Sequence, residues 1–181
     1  METRRIAFLD LQTSGDLVVY NDFAGSERLF LRDRILAVNA VVATADGGFR
    51  YNDAGHDPEE TLSKLFQAIG KAELAALDIV KVRKFIDFAS YVFRISDPTT
   101  GSVDVLGVSR ELLIAKGYPD PINLDGIVKI LALSRRRGKN KAELAYRVYA
   151  ESRSIRPNEK RMALPNNAAA CLGTKVPDSG C

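Results

Sequence analysis

Residues 8–15 read Phe8-Leu9-Asp10-Leu11-Gln12-Thr13-Ser14-Gly15, a hydrophobic strand that ends in an acid and breaks at a glycine. With Ile6 and Ala7 in front, the stretch predicts a buried strand over Ile6–Leu11, because a short continuous apolar run closed by turn formers suits one. Two roles compete for the polar residues at its end. Asp10 and Gln12 either cap the turn that follows the strand, or they belong to a site built there.

Downstream, Asp16–Asp22 and Arg28–Leu31 predict a hairpin or loop excursion around the Ala24-Gly25-Ser26 break. Arg34–Thr44 is rich in Val, Ile and Ala and predicts a long strand. Asp46-Gly47-Gly48 then turns the chain, and Phe49-Arg50-Tyr51 begins a return strand. The N-terminal third is therefore expected to be a three-stranded antiparallel meander.

Asp57-Pro58-Glu59-Glu60 carries a cap acid, a first-position proline and first-turn acids, which together start a helix. Leu62, Leu65, Phe66 and Ile69 give that helix one apolar face, and Gly70 stops it. Ala75–Val82 predicts a strand, Arg83–Phe93 a helix, Asp97–Gly101 a turn, and Ser109–Lys116 a short helix ending at Gly117. Pro119–Pro121 is expected as loop, and Ile127–Leu133 fits strand and helix equally. Lys141–Ser152 predicts an amphipathic helix with Leu144, Ala145, Val148 and Tyr149 inward. Asn166–Leu172 predicts a small Ala-rich helix. A single domain over 1–173 with a flexible 174–181 tail follows, of α/β (α+β) class.

Composition narrows the function classes. The 181 residues suffice for one full core, and 46% hydrophobic with 27% charged residues is ordinary for a globular protein. Twenty-six Lys+Arg against 23 Asp+Glu leave a net charge of only +3, so a nucleic-acid interface must come from the distribution of charge. No apolar run reaches about 18 residues and no signal-peptide pattern is present, so no membrane partner is expected. Cys171 and Cys181, both near the C-terminus, offer neither a disulfide framework nor zinc spacing, and an intracellular setting is expected. The lone histidine, His56, precedes a helix cap and reads as a surface loop residue, which leaves Ser/His and Cys/His catalysis little material.

Several segments, in order, carry a family likeness. The stretch around Asp10 resembles the first motif of the DEDD-type 3′–5′ exonucleases (the DEDDh, proofreading type), apolar-Asp-x-Glu-Thr-x-Gly. Asp33–Val42 is similar to the family's second strand, and Ile69–Phe88 to the helix–strand–helix that bears its second motif. Gly138-Lys139-Asn140-Lys141 leading into Leu144 and Tyr149 looks like the Gly-Lys-x-x-x-Leu helix of proofreading members. Arg161–Ala168 resembles the closing motif His-x-Ala-Leu-x-Asp-Ala. The resemblance covers most of residues 4–173. It implies a ribonuclease H-like exonuclease fold: a mixed central sheet that starts with the antiparallel meander and is flanked by helices.

It also implies where chemistry has been altered. In the family, two divalent metals sit among four carboxylates and a histidine deprotonates the attacking water. Carried over, Asp10 keeps the first acid and Gln12 replaces the second, an amide being a poorer Mg²⁺ ligand than a carboxylate. The third acid falls at Val82 without gaps, or at Asp87 or Asp78 with small shifts. Arg161 stands for the histidine and Asn166 for the last acid. Arg cannot act as a base near neutral pH, its pKa lying above roughly 12. Asp10 and Asp87 remain as ligands for a weakened or lost Mg²⁺ or Mn²⁺. A plain structural role competes at each position, with Asp87 a solvated helix acid, Asn166 an N-cap and Arg161 a loop residue.

The densest charge is Arg135-Arg136-Arg137-Gly138-Lys139-Asn140-Lys141, continuing to Arg147, Arg153, Arg156, Lys160 and Arg161. Such a run either holds phosphates in a salt-dependent way or forms a solvated face. The leading expectation is an exonuclease-type domain with an eroded metal site that binds nucleic acid, DNA or RNA, or a protein partner instead of hydrolysing efficiently. The alternatives are a divergent but active metal-dependent 3′–5′ exonuclease, and a structural or assembly subunit of coat or matrix type with a basic RNA-contacting segment.

Overall fold

In a computed structural model, residues 5–14, 35–54, 57–133 and 140–158 are described. The expected 16–31 excursion, Arg34, His56, Arg135–Lys139, Arg161, Asn166, the Ala-rich helix, both cysteines and the tail lie outside them. The protein is a mixed α/β fold built on one five-stranded sheet flanked by helices.

Strand β1 (Ile6–Thr13) is buried at six consecutive positions, because helices cover both of its faces. It pairs antiparallel with β2 (Ile35–Thr44), from Ile6 opposite Ala43 to Gln12 opposite Ala37, with a register shift before Thr13. β2 turns into β3 (Gly47–Asp53), which forms one edge of the sheet. The meander read from the sequence is present. Two parallel strands extend it beyond β1: β4 (Glu73–Ala76) and then β5 (Gly101–Asp104), giving the order β3-β2-β1-β4-β5.

Alternation along β1 sorts the core into two layers. Ala7, Leu9 and Leu11 pack with helices α1 (Pro58–Ile69) and α2 (Ile79–Phe93). Ile6 and Phe8 pack with α3 (Val105–Ala115), α4 (Leu124–Ile130) and α5 (Lys141–Ser154). Phe8 is fully buried, its ring 5.5 Å from Tyr146 and 5.4 Å from Tyr149 of α5. Such aromatic pairs add about 0.5–1.5 kcal/mol each beyond area burial. Helix α1 follows its sequence signals: Asp57 caps it by accepting from Glu60 N–H at 2.9 Å, and Gly70 ends it.

Four boundaries differ from expectation. The strand expected over Ala75–Val82 stops at Ala76, because Asp78 accepts from Lys81 N–H at 3.3 Å and caps α2 from Ile79. Ile79, Val82, Phe85, Ile86 and Ala89 then bury one helical face. Strand β5 falls where a turn ended, four residues that are only alternately half-buried. Helix α3 begins four residues before Ser109, capped by Asp104. A Cβ at Gly107 would lie 2.6 Å from that carboxylate, so any larger residue there would make the Asp104 side chain shift. Residues 124–130 are helical, capped by Asn123.

Candidate functional site

Asp10 is only 6% exposed and opens toward the α5 layer. Directly across the sheet it faces Asn39, which in turn faces Asn52 of β3. Opposed residues share a face, so Asp10, Asn39 and Asn52 make a polar row beside the row Phe8, Val41 and Arg50. The carboxylate meets α5 at its first turn. Lys141 N–H donates to Asp10 Oδ2 at 3.2 Å, while Asn140 Oδ1 accepts from Ala142 N–H at 2.8 Å and Glu143 N–H at 3.4 Å. The next amide, Leu144 N–H, makes a helical bond to Asn140 O. Asp10 and Asn140 thus satisfy between them the three orphan donors that open the helix. A buried carboxylate there also complements the helix dipole.

Gln12 is exposed, and its amide nitrogen lies 3.5 Å from Asp10 Oδ2, at the outer limit of a hydrogen bond. Asp87 is on α2, in the layer packed against the other face of the sheet, where Arg83 holds it at 2.8 Å. The same guanidinium reaches Asp97 at 2.7 Å and donates to Thr99 Oγ1 at 2.7 Å, pinning the loop before β5. A metal shared by Asp10 and Asp87 gains no support from this placement. Val82 is buried in the α1–α2 core. Asp78 is the remaining option for a third acid, and it sits just past β4, the parallel neighbour of β1. Extending their register sets Leu77 beside Asp10 and Asp78 beside Leu11. Its carboxylate is occupied as a helix cap and lies 3.6 Å from Lys81 Nζ.

Of the basic residues, Lys141 is exposed at the start of α5, immediately after the 135–139 run. Arg153 lies 5.4 Å from the Tyr149 ring centroid and donates to the Tyr149 hydroxyl at 2.7 Å. On a helix Lys141, Arg147 and Arg153 fall about 120° apart, so they form no single stripe. Three participants escaped the sequence reading. Asn39 and Asn52 are found only once cross-strand register is known. Asn140 had a local signal, a cap residue followed three positions later by Glu143.

Among the described residues no group of three or more His, Cys, Asp or Glu side chains is gathered that could hold a metal ion. One buried carboxylate, an exposed amide and a row of asparagines do not fit a two-metal centre, which needs several carboxylate oxygens. No described helix is long and apolar enough to cross a membrane. No protein-family model matches this chain, and comparison with curated proteins finds no match.

Proposed function

We propose that this chain is a ribonuclease H-like domain of the DEDD exonuclease type whose metal site has been dismantled, and that it works by binding single-stranded nucleic acid. The observation that carries this is the fate of Asp10. The acid stands within the central strand, at the position where the motif resemblance implies the first metal ligand, yet its carboxylate is engaged by the first amide of α5. Gln12 fits the same history. A glutamate 3.5 Å from Asp10 would set two carboxylates against each other and need a cation between them, whereas an amide can donate. The antiparallel meander continued by parallel strands and flanked by helices agrees with the sheet which the resemblance implies.

The binding half of the proposal rests on Arg135, Arg136, Arg137 and Lys139, which run directly into exposed Lys141. Phosphate neutralisation by such residues releases counterions, with a log–log salt slope of about −0.7 per contact for single strands. Fluorescence anisotropy with labelled single-stranded RNA and DNA at stepped salt tests it. Replacing the four basic residues with Gln together should lower affinity at least tenfold and flatten the slope. Equal affinity in that variant would sink the proposal.

A further inference from the structure

Away from the Asp10 row, a groove of about 390 Å³ opens between α5 and the β2–β3 hairpin. Val41, Ala43, Gly48, Arg50 and Tyr146 are among its lining residues. Its size falls in the range of sites that hold one small molecule or one nucleotide unit. Its position follows from register: Phe8, Val41 and Arg50 are successive partners across β1, β2 and β3, and Tyr146 packs edge-on against Phe8 with the planes at 72°. The aromatic ring is therefore fixed by the core while remaining half-buried at the groove wall.

The cation in the groove is also held. Arg50 Nε donates to Glu143 Oε2 at 3.1 Å and its Nη2 lies 3.1 Å from the same oxygen, yet the Arg50 side chain stays 70% exposed. At the hairpin's turn the groove is lined by backbone, because a Cβ at Gly48 would fall 2.3 Å from Val42 O. Along α5, Glu143 with its Arg50 and then Tyr146 follow one another about 60° apart over about 4.5 Å of helix rise. Cations followed by a fixed aromatic ring are the elements by which proteins track a single strand, with phosphates on the charges and bases on the rings.

We propose that this groove takes one nucleotide of a single-stranded nucleic acid, its base against Tyr146 and its phosphate at Arg50. The proposal rests on the nucleic-acid reading above and adds a second contact region, some two to four residues along β1 from Asp10. Crosslinking with a 5-iodouracil oligonucleotide, followed by peptide mapping, and anisotropy titrations test it on the full chain. Tyr146→Leu keeps apolar bulk against Phe8 without the aromatic face, and Arg50→Gln changes an exposed side chain, so both are expected to fold.

Crosslinks should map to Tyr146, and Tyr146→Leu should weaken binding about tenfold. Arg50→Gln should flatten the salt slope by about 0.7. Wild-type binding that is unchanged in both variants, with crosslinks elsewhere, overturns the groove assignment and leaves the nucleic-acid reading standing. A wild-type protein that binds no strand at any salt concentration overturns both.

Discussion

Replacing Asp10 with Asn separates a structural tether from a metal ligand by the sign of its effect. The substitution keeps the shape and leaves a carbonyl oxygen for Lys141 N–H, but removes a charge that is buried against the first turn of α5. A carboxylate at a helix N-terminus contributes about 0.3–1 kcal/mol when exposed and up to ~2 kcal/mol in partly buried geometry. A hydrogen bond to a charged acceptor exceeds a neutral one by roughly 1 kcal/mol. Asp10→Asn should therefore cost about 1–2 kcal/mol. In a chain of this size that lowers Tm by roughly 2–8 °C. Asp10→Ala, which orphans the amide, should cost about 2–4 kcal/mol. Thermal unfolding followed by circular dichroism reads both, and amide exchange should show the first turn of α5 losing protection before the sheet does. In a metal centre stripped of metal, by contrast, crowded carboxylates repel, and neutralising one raises Tm. A rise in Tm for Asp10→Asn would refute the tether, as would Mn²⁺ stabilising the wild type but not the variant.

Three further outcomes follow from the packing. Lys116 Nζ donates to the carbonyls of Ser152, Arg153 and Ile155 at 3.0, 2.6 and 2.8 Å, closing the C-terminus of α5, so Lys116→Met should cost about 2 kcal/mol by chemical denaturation. Gly48→Ala should cost about 1–3 kcal/mol in the same assay, since its Cβ would meet the Val42 carbonyl oxygen and backbone must shift. Tyr51, whose hydroxyl donates to Asp53 Oδ2 at 3.2 Å, has its pKa pushed up to about 12, first by burial and then by the Asp53 charge. The folded state holds that phenol proton more tightly than the unfolded chain, so its contribution is complete below about pH 10 and is lost as pH rises toward 12. Tyr51→Phe should lack this alkaline loss when wild type and variant are unfolded in urea across that range.

Local signals carried much of the fold. The six buried residues of β1, the Asp57-Pro58 start and Gly70 stop of α1, and the apolar face of α5 each encode their own structure within one element. Boundaries failed where one residue did two jobs. Ile79 and Val82 are apolar enough to extend β4, and only the capping geometry of Asp78 assigns them to a helix. Strand β5 is short and half-exposed, and exists because β4 offers it a parallel edge. The site was legible only as residue types. Asp10 was visible in the motif, but its bond to Lys141 spans 131 positions, and its row with Asn39 and Asn52 depends on register. Asp87 looked available because sequence distance does not reveal which face of the sheet a helix covers.

The most direct test incubates the purified protein with end-labelled single-stranded RNA and DNA while titrating Mn²⁺, reading cleavage and band shift in the same samples. A dismantled site predicts a salt-sensitive shift and intact label at every Mn²⁺ concentration, unchanged in Gln12→Glu. Stepwise 3′ shortening that depends on Mn²⁺ and disappears in Asp10→Ala would contradict it.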